Sequence, residues 1–311
     1  MLVFITAALA QTAAPVLIDQ AIDRIETGDY DGALILLDAS ESAPESDPDR
    51  THYLRGVALE LDGEPASALS LYTDGLDRWP QSALRQDRIF RAAEAHATLG
   101  DWRRSIRTLR KLDAEQFTGD DRVKLDLVTG IALLGKGKER KGLELLSPTL
   151  TDAAPDQVTF YQAKARIAWA RLLASQADDL SLNGREKRVV ERLETRAQRL
   201  VQVEEQVVAA ARLQEPEWVL EGLLILGASY ERVAEDLLNS TRPKGLTETQ
   251  LAEYDALLAQ RALIVFTKAS QHYQSGLGMA TRLGWQSRRV GQLEQAKSTL
   301  DARIVALDQA G

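Results

Sequence analysis

Four glycine turns recur along the first half of this chain at nearly constant spacing. They are Gly28 before Asp29 and Tyr30, Gly63 before Glu64 and Pro65, Gly100 before Asp101 and Trp102, and Gly137 before Lys138 and Glu139. Successive turn glycines stand 35, 37 and 37 residues apart. Glycine suits the left-handed residue that ends a helix, and the acidic residue after it in three of the turns favours the start of the next one. Each turn is followed at a helical interval by a small or apolar pair: Ala33 and Leu37, Ala68 and Tyr72, Ser105 and Leu109, Gly142 and Leu146. Residues 52–80 hold the best-preserved unit. There Gly56 and Ala68 let two helix backbones approach, Tyr72 fills the space beside them, Gly75 is small again and Pro80 ends the unit. A helix hairpin of this kind cannot bury its apolar face alone, so the pattern predicts stacked neighbours.

The second half follows a different period. Residues 156–178 read as one longer helix with Tyr161, Ile167, Trp169 and Leu172, and residues 181–184 as its stop. Residues 185–214 form a long charged helix with an apolar seam at Val190, Leu193, Ala197, Leu200, Val207 and Ala211. A helix opened by Pro216 has its seam at Val219, Leu223, Leu226, Tyr230, Val233 and Leu237. Thr247, with Glu248 and Gln250, opens a third as in a capping box, and Gly276, Gly278 and Gly284 weaken its end. A last helix runs through Leu293, Leu300, Ile304 and Leu307. The expected fold is all-α: a short helical-hairpin solenoid over residues 11–180, then a bundle of long antiparallel helices over 181–311. Those long helices offer a second binding surface or a self-association seam.

Residues 1–10, MLVFITAALA, read as an apolar leader ending in an A-x-A cleavage pattern, which implies export to a periplasm. The alternative is an apolar first helix retained in a cytoplasmic protein. No other window has the ~20 apolar residues of a membrane span. The net charge of −8 argues against a nucleic-acid partner, and the absence of cysteine excludes disulfides and thiol chemistry.

The hairpin pattern resembles the tetratricopeptide repeat family over residues 15–150. The second repeat carries Gly56, Leu59, Gly63, Ala68, Tyr72, Gly75 and Pro80 at the family's positions, with His52 where a tryptophan is typical. The first matches through Ala21, Gly28, Asp29, Tyr30, Ala33 and Leu37, the third through Ala93, Gly100, Asp101, Trp102 and Ser105, and the fourth through Gly130, Gly137 and Leu146. The resemblance implies a concave surface lined by first helices. By register it comprises Tyr53, Val57, Glu60 and Leu61, then Asp87, Phe90, Glu94 and Ala97, then Lys124, Leu127, Ile131 and Leu134. Such a lining implies an apolar or mildly basic peptide guest. The alternative is that these residues pack against the next repeat or the C-terminal helices. Within residues 223–261, Leu226, Gly227, Tyr230, Glu231, Ala234, Leu237, Leu238, Pro243, Lys244, Gly245, Leu246, Thr247, Tyr254 and Leu258 carry a second resemblance, to the C-terminal part of large tetratricopeptide proteins associated with gliding-motility and Tol/Exb-type envelope machinery, which implies an envelope assembly context.

Signals for chemistry are sparse. His52, His96 and His272 lack the further ligands that helical metal spacing requires. Gly276, Gly278 and Gly284 lack the strand and G-K-[ST] ending of a phosphate loop, and no G-x-S-x-G nucleophile motif occurs. The acid pairs Asp120/Asp121 and Asp178/Asp179 sit at helix ends. No cofactor or metal is expected. Basic clusters at Arg103, Arg104, Arg107, Arg110 and Lys111, at Lys136, Lys138, Arg140 and Lys141, and at Arg185, Lys187, Arg188, Arg192, Arg196 and Arg199 are either solvated faces or docking sites for an acidic partner or anionic envelope surface. The reading is a non-catalytic periplasmic scaffold or adaptor in a cell-envelope complex. An accessory factor in outer-membrane assembly or cell-wall coordination is the alternative, and a glycan- or peptidoglycan-acting enzyme is the alternative of another class.

Overall fold

The computed structural model describes residues 13–113, 115, 117–148, 150, 158–180, 186–243 and 245–310. The leader read at 1–10 and the helix stop read at 181–184 lie outside them. All regular structure among the described residues is helical. By compactness the chain divides into two units: Met1–Tyr161 with Gly284–Arg289, and Gln162–Leu283 with Val290–Gly311. The sequence boundary at 180/181 marks a change of periodicity, whereas this division marks compactness.

In the first unit eight helices run in order: α1 (Ala14–Glu26), α2 (Tyr30–Glu41), α3 (Pro48–Leu61), α4 (Pro65–Arg78), α5 (Arg85–Thr98), α6 (Trp102–Leu109), α7 (Gly119–Gly135) and α8 (Glu139–Leu146). Each packs on the next, giving four hairpins in a row. The four predicted turns share one geometry. Gly28, Gly63, Gly100 and Gly137 all have φ between 75° and 86°. Each donates its N–H three residues back, to Ile25, Glu60, Ala97 and Leu134, and the following residue donates five back, to Arg24, Leu59, His96 and Leu133. That is the Schellman closure, which satisfies carbonyls a helix end otherwise leaves open. Asp29 and Asp101 then accept the N–H of Gly32 and Arg104 at 3.0 and 3.1 Å and cap the second helices.

The cores confirm stacking. Ala68 and Tyr72 of the second hairpin cluster with Ala92 of the third. Ile89, Phe90, Ala93 and Leu109 of the third cluster with Leu125 and Val128 of the fourth. The segment Gly284–Arg289 also belongs here. The Trp285 ring lies on Gly28, where a Cβ would come within 2.5 Å of it. The Arg288 N–H donates to Asp62 at 2.9 Å, its guanidinium pairs with Glu64, and Arg289 donates to the Leu61 carbonyl at 2.7 Å.

The second unit holds most of α9 (Thr159–Asp178), with α10 (Glu186–Ala211), α11 (Pro216–Leu238), α12 (Glu248–Leu283) and most of α13 (Arg288–Ala310). Consecutive helices are antiparallel. In α9 and α10, Arg166 meets Gln206 and Asp178 meets Arg196. In α10 and α11, Val207 lies on Gly222 and Arg196 pairs with Asp236. In α11 and α12, Gly227 faces Tyr273 and Leu223 faces Gly276; in α12 and α13, Leu293 lies on Gly276 and Ser270 donates to Asp301.

Two expectations need correction. Val190, Ala197 and Ala211 of the expected α10 seam are exposed, and the buried line is Arg196, Val203, Val207 and Ala210. The seam therefore turns towards Arg196, because Asp178 and Asp236 supply the countercharges that let an arginine be buried. Gly276 and Gly278 do not weaken α12, which runs unbroken to Leu283; Gly276 is a buried seat for Leu293.

Candidate functional site

The first helices α3, α5 and α7 each place one row of side chains on a common side of the array. Tyr53 and Glu60 on α3 meet Arg91 on α5: the Arg91 Nε donates to the Tyr53 hydroxyl at 3.0 Å and its Nη1 to Glu60 Oε2 at 3.2 Å. Tyr72, from the second helix of the same hairpin, donates to that carboxylate oxygen at 2.8 Å. The guanidiniums of Arg88 and Arg91 lie 5.7 and 5.9 Å from the centre of the Tyr53 ring. Further along, Tyr161 stands edge-on to Phe90 at 5.7 Å, with the Lys124 ammonium 5.8 Å from its ring. Burial raises the Tyr53, Tyr72 and Tyr161 phenols above their ordinary range, so all three keep their protons at neutral pH.

The residues expected along this face fall into two groups. Tyr53, Leu61 and Lys124 are half-buried and Asp87 is exposed, so they border open surface, whereas the Glu60 side chain, 7% exposed, is turned in against Tyr72 and Arg91. Val57, Phe90, Glu94, Ala97, Leu127, Ile131 and Leu134 are buried. Phe90 is a core residue of the third hairpin, packed with Ile89, Ala93 and Leu109, and a substitution there perturbs folding first. The accessible face is thus narrower and more polar than the expected apolar groove. Arg91 was absent from the sequence reading. Its separation from Tyr53, 38 residues, is close to one repeat, and a search for polar pairs one repeat apart on first helices would have found it.

The residues assigned to structure take structural positions. Gly56 lies under the Tyr72 ring, Ala68 and Tyr72 are fully buried, Gly63, Gly100 and Gly137 form turns, Asp101 caps α6, and Pro80 follows the end of α4. His52 is buried against Trp79 at 5.2 Å, with Nε2 3.0 Å from Asp74. Among the described residues no group of three His, Cys, Asp or Glu side chains is placed to hold a metal, and no helix is long and apolar enough to cross a membrane.

The basic clusters divide likewise. Arg103, Arg104, Arg107, Arg110, Lys111, Lys136, Lys138, Arg140 and Lys141 are all exposed, as is Arg188, while Arg192 and Arg199 are half-buried. Arg196 is removed from that surface, buried between Asp178 and Asp236. Arg185 lies outside the described residues, as does the Lys187 side chain.

No protein-family model matches the chain, and no curated protein matches it. A solved structure described as a "Circular tandem repeat protein with novel repeat topology and enhanced subunit contact surfaces" is similar at 14% identity and a TM-score of 0.22, covering 94% of this chain and 71% of that one. A TM-score of that size bears no weight, and the helical-repeat fold rests on the hairpins and turns described above.

Proposed function

We propose that this chain is a non-catalytic scaffold or adaptor of the tetratricopeptide class that holds a peptide segment of a partner in a periplasmic cell-envelope complex, of motility or Tol/Exb type. The observation that carries the reading is the joining of Tyr53 and Glu60 of α3 to Arg91 of α5, with Asp87 also on α5 and Lys124 on α7, the first helices of three successive hairpins that share one turn geometry. Rigid stacked helices present such a row with little entropy left to lose on binding. Glu60 is already committed to Tyr72 and Arg91, so exposed Asp87 is the carboxylate open to a guest. The guest is accordingly a mildly basic segment with a basic residue for Asp87, lying beside the Tyr53 ring and Leu61.

The test is in-cell photo-crosslinking from position 87, compared with a probe at Val305, followed by mass spectrometry. One partner captured from 87 but not from 305, and lost on Tyr53→Ala, is the expected result. Capture that is equal from both positions, or that is unchanged by Tyr53→Ala, refutes the face. Export has its own test: the mature protein should begin after Ala10, and an intact Met1 in an extracytoplasmic fraction refutes the cleavage.

The exposed arginines of α6 favour a second contact, with an acidic partner or the anionic envelope surface. That reading suits an accessory factor in outer-membrane assembly or cell-wall coordination. It predicts association that weakens steeply with salt.

A further inference from the structure

Helix α12 is 36 residues long, yet its buried residues, Ala262, Phe266, Ala269, Tyr273, Gly276 and Ala280, all lie in its second part. The antiparallel pairing of Gly227 with Tyr273 and of Leu223 with Gly276 explains this: α11 ends at Leu238, level with the region of Ala262. The earlier turns of α12 extend past it. They are a well-formed helix nonetheless. Thr247 and Gln250 close a capping box, with Gln250 Oε1 accepting the Thr247 N–H at 3.0 Å and Thr247 Oγ1 accepting the Gln250 N–H at 3.3 Å. Arg242, from the preceding loop, pairs with Asp255 and tethers one side.

On the opposite side Glu253, Leu257, Arg261 and Ile264 stand in line at helical spacing. Leu257 is 50% and Ile264 57% exposed, and both charged residues are exposed. Among the described residues neither Glu253 nor Arg261 joins an ion pair. The order of charges is symmetric and opposite about Leu257, an acid four residues before it and a base four residues after.

We propose that this face is a self-association seam, occupied by the same helix of a second copy running antiparallel about a two-fold axis at Leu257. Around that axis each Leu257 meets its own counterpart. Glu253 lies opposite Arg261 of the partner subunit, and the reverse pair follows by symmetry. A parallel arrangement sets acid on acid and base on base, so the charge order selects the antiparallel one. The seam spans only a few turns, at the small end of specific interfaces, so the dimer dissociates on dilution. This inference does not depend on the peptide-binding reading above.

The test is sedimentation velocity of the full-length protein over about 1 to 200 µM. A reversible monomer–dimer equilibrium is expected. Symmetry makes Arg261→Glu break both ion pairs at once and place like charges together, so the dissociation constant should rise about tenfold. Leu257→Lys should abolish the dimer, whereas adding Glu253→Arg to Arg261→Glu re-forms both cross pairs and should restore the association that Arg261→Glu alone weakens. All the altered side chains are exposed, so thermal melts should match wild type and separate seam loss from unfolding. A protein that stays monomeric throughout overturns the proposal, as does a dimer indifferent to Leu257→Lys. Loss in Arg261→Glu without recovery in the swap overturns the antiparallel register.

Discussion

Gly56 shows how one missing methyl group supports the candidate site. A Cβ at this position would come within 2.5 Å of the Tyr72 ring. Tyr72 is fully buried and its hydroxyl holds the Glu60 carboxylate, which in turn receives Arg91. A larger residue at 56 therefore moves a buried ring and loosens the polar row on the first helices. Replacing a mid-helix glycine by a better helix former gains up to about 1 kcal/mol in propensity. Overpacking a closed core costs about 1–3 kcal/mol, and here the contact is with a ring that has no free volume to enter. The steric effect should win: Gly56→Val should lose about 2 kcal/mol by urea denaturation. Tyr72→Phe keeps the ring and removes only the hydrogen bond, so it should cost about 1 kcal/mol. A Gly56→Val protein as stable as wild type would mean that the Tyr72 ring of α4 does not pack against α3 at Gly56.

At the scale of elements, the joint between the second and third hairpins depends on a buried cation. Arg88 of α5 is fully buried. It pairs with the Asp49 carboxylate, donates to the Asp49 carbonyl at 2.8 Å and to Ser82 Oγ at 3.2 Å, and lies 5.5 Å from the Trp79 ring. Asp49 also accepts from Ser82 at 2.6 Å. Arg88→Met removes the cation and leaves three acceptors short of a donor. Removing one partner of a buried pair costs about 3–5 kcal/mol, but Asp49 keeps some access to water, so a loss nearer about 2–3 kcal/mol is expected. Asp49→Asn, which still accepts hydrogen bonds, should lose less; an equal loss in both would mean that charge alone matters. Neither Arg88 nor Arg196 was legible in the sequence as a buried group. Each looks like one more surface arginine until its countercharges, 39 residues away for Arg88 and 18 and 40 away for Arg196, are folded against it. The turns were legible because a Schellman closure is local: glycine and its neighbours within five residues settle it. The α10 seam was misplaced by about a quarter turn for the converse reason, since periodicity favours Ala197 over a charged neighbour and cannot see Asp178 and Asp236. Tyr53 and Asp87, which border open surface, were picked out by the repeat register. Burial at Phe90, Leu127 and Ile131 was not, because it depends on how closely successive helices pack.

Across the whole molecule, the three histidines predict a loss of stability in mild acid. Burial lowers the pKa of His52 below its ordinary value, outweighing the attraction of Asp74; burial likewise lowers His96 and His272. In the unfolded chain each titrates near 6.5. A group whose folded pKa lies below its unfolded one binds protons first in the unfolded state. The stability it supports is therefore complete above about pH 6.5 and is lost as the pH falls through the folded value. Asp62, Asp178 and Glu231 act in the opposite sense, since burial raises their pKa values and the fold gains as they protonate. That gain comes lower, as the pH falls towards the ordinary carboxylate values near 4. Between pH 7.5 and about 5.5 the histidines should dominate, and the urea midpoint should fall steadily. His52 and His96 belong to the first compact unit and His272 to the second, so both units should soften over the same range. His52→Phe keeps a ring against Trp79, and His272→Phe keeps one stacked on Tyr230. The double variant should show a flatter dependence of the urea midpoint on pH while matching wild type more closely at pH 7.5 than at 5.5. A slope unchanged by both substitutions would place the acid sensitivity in other groups.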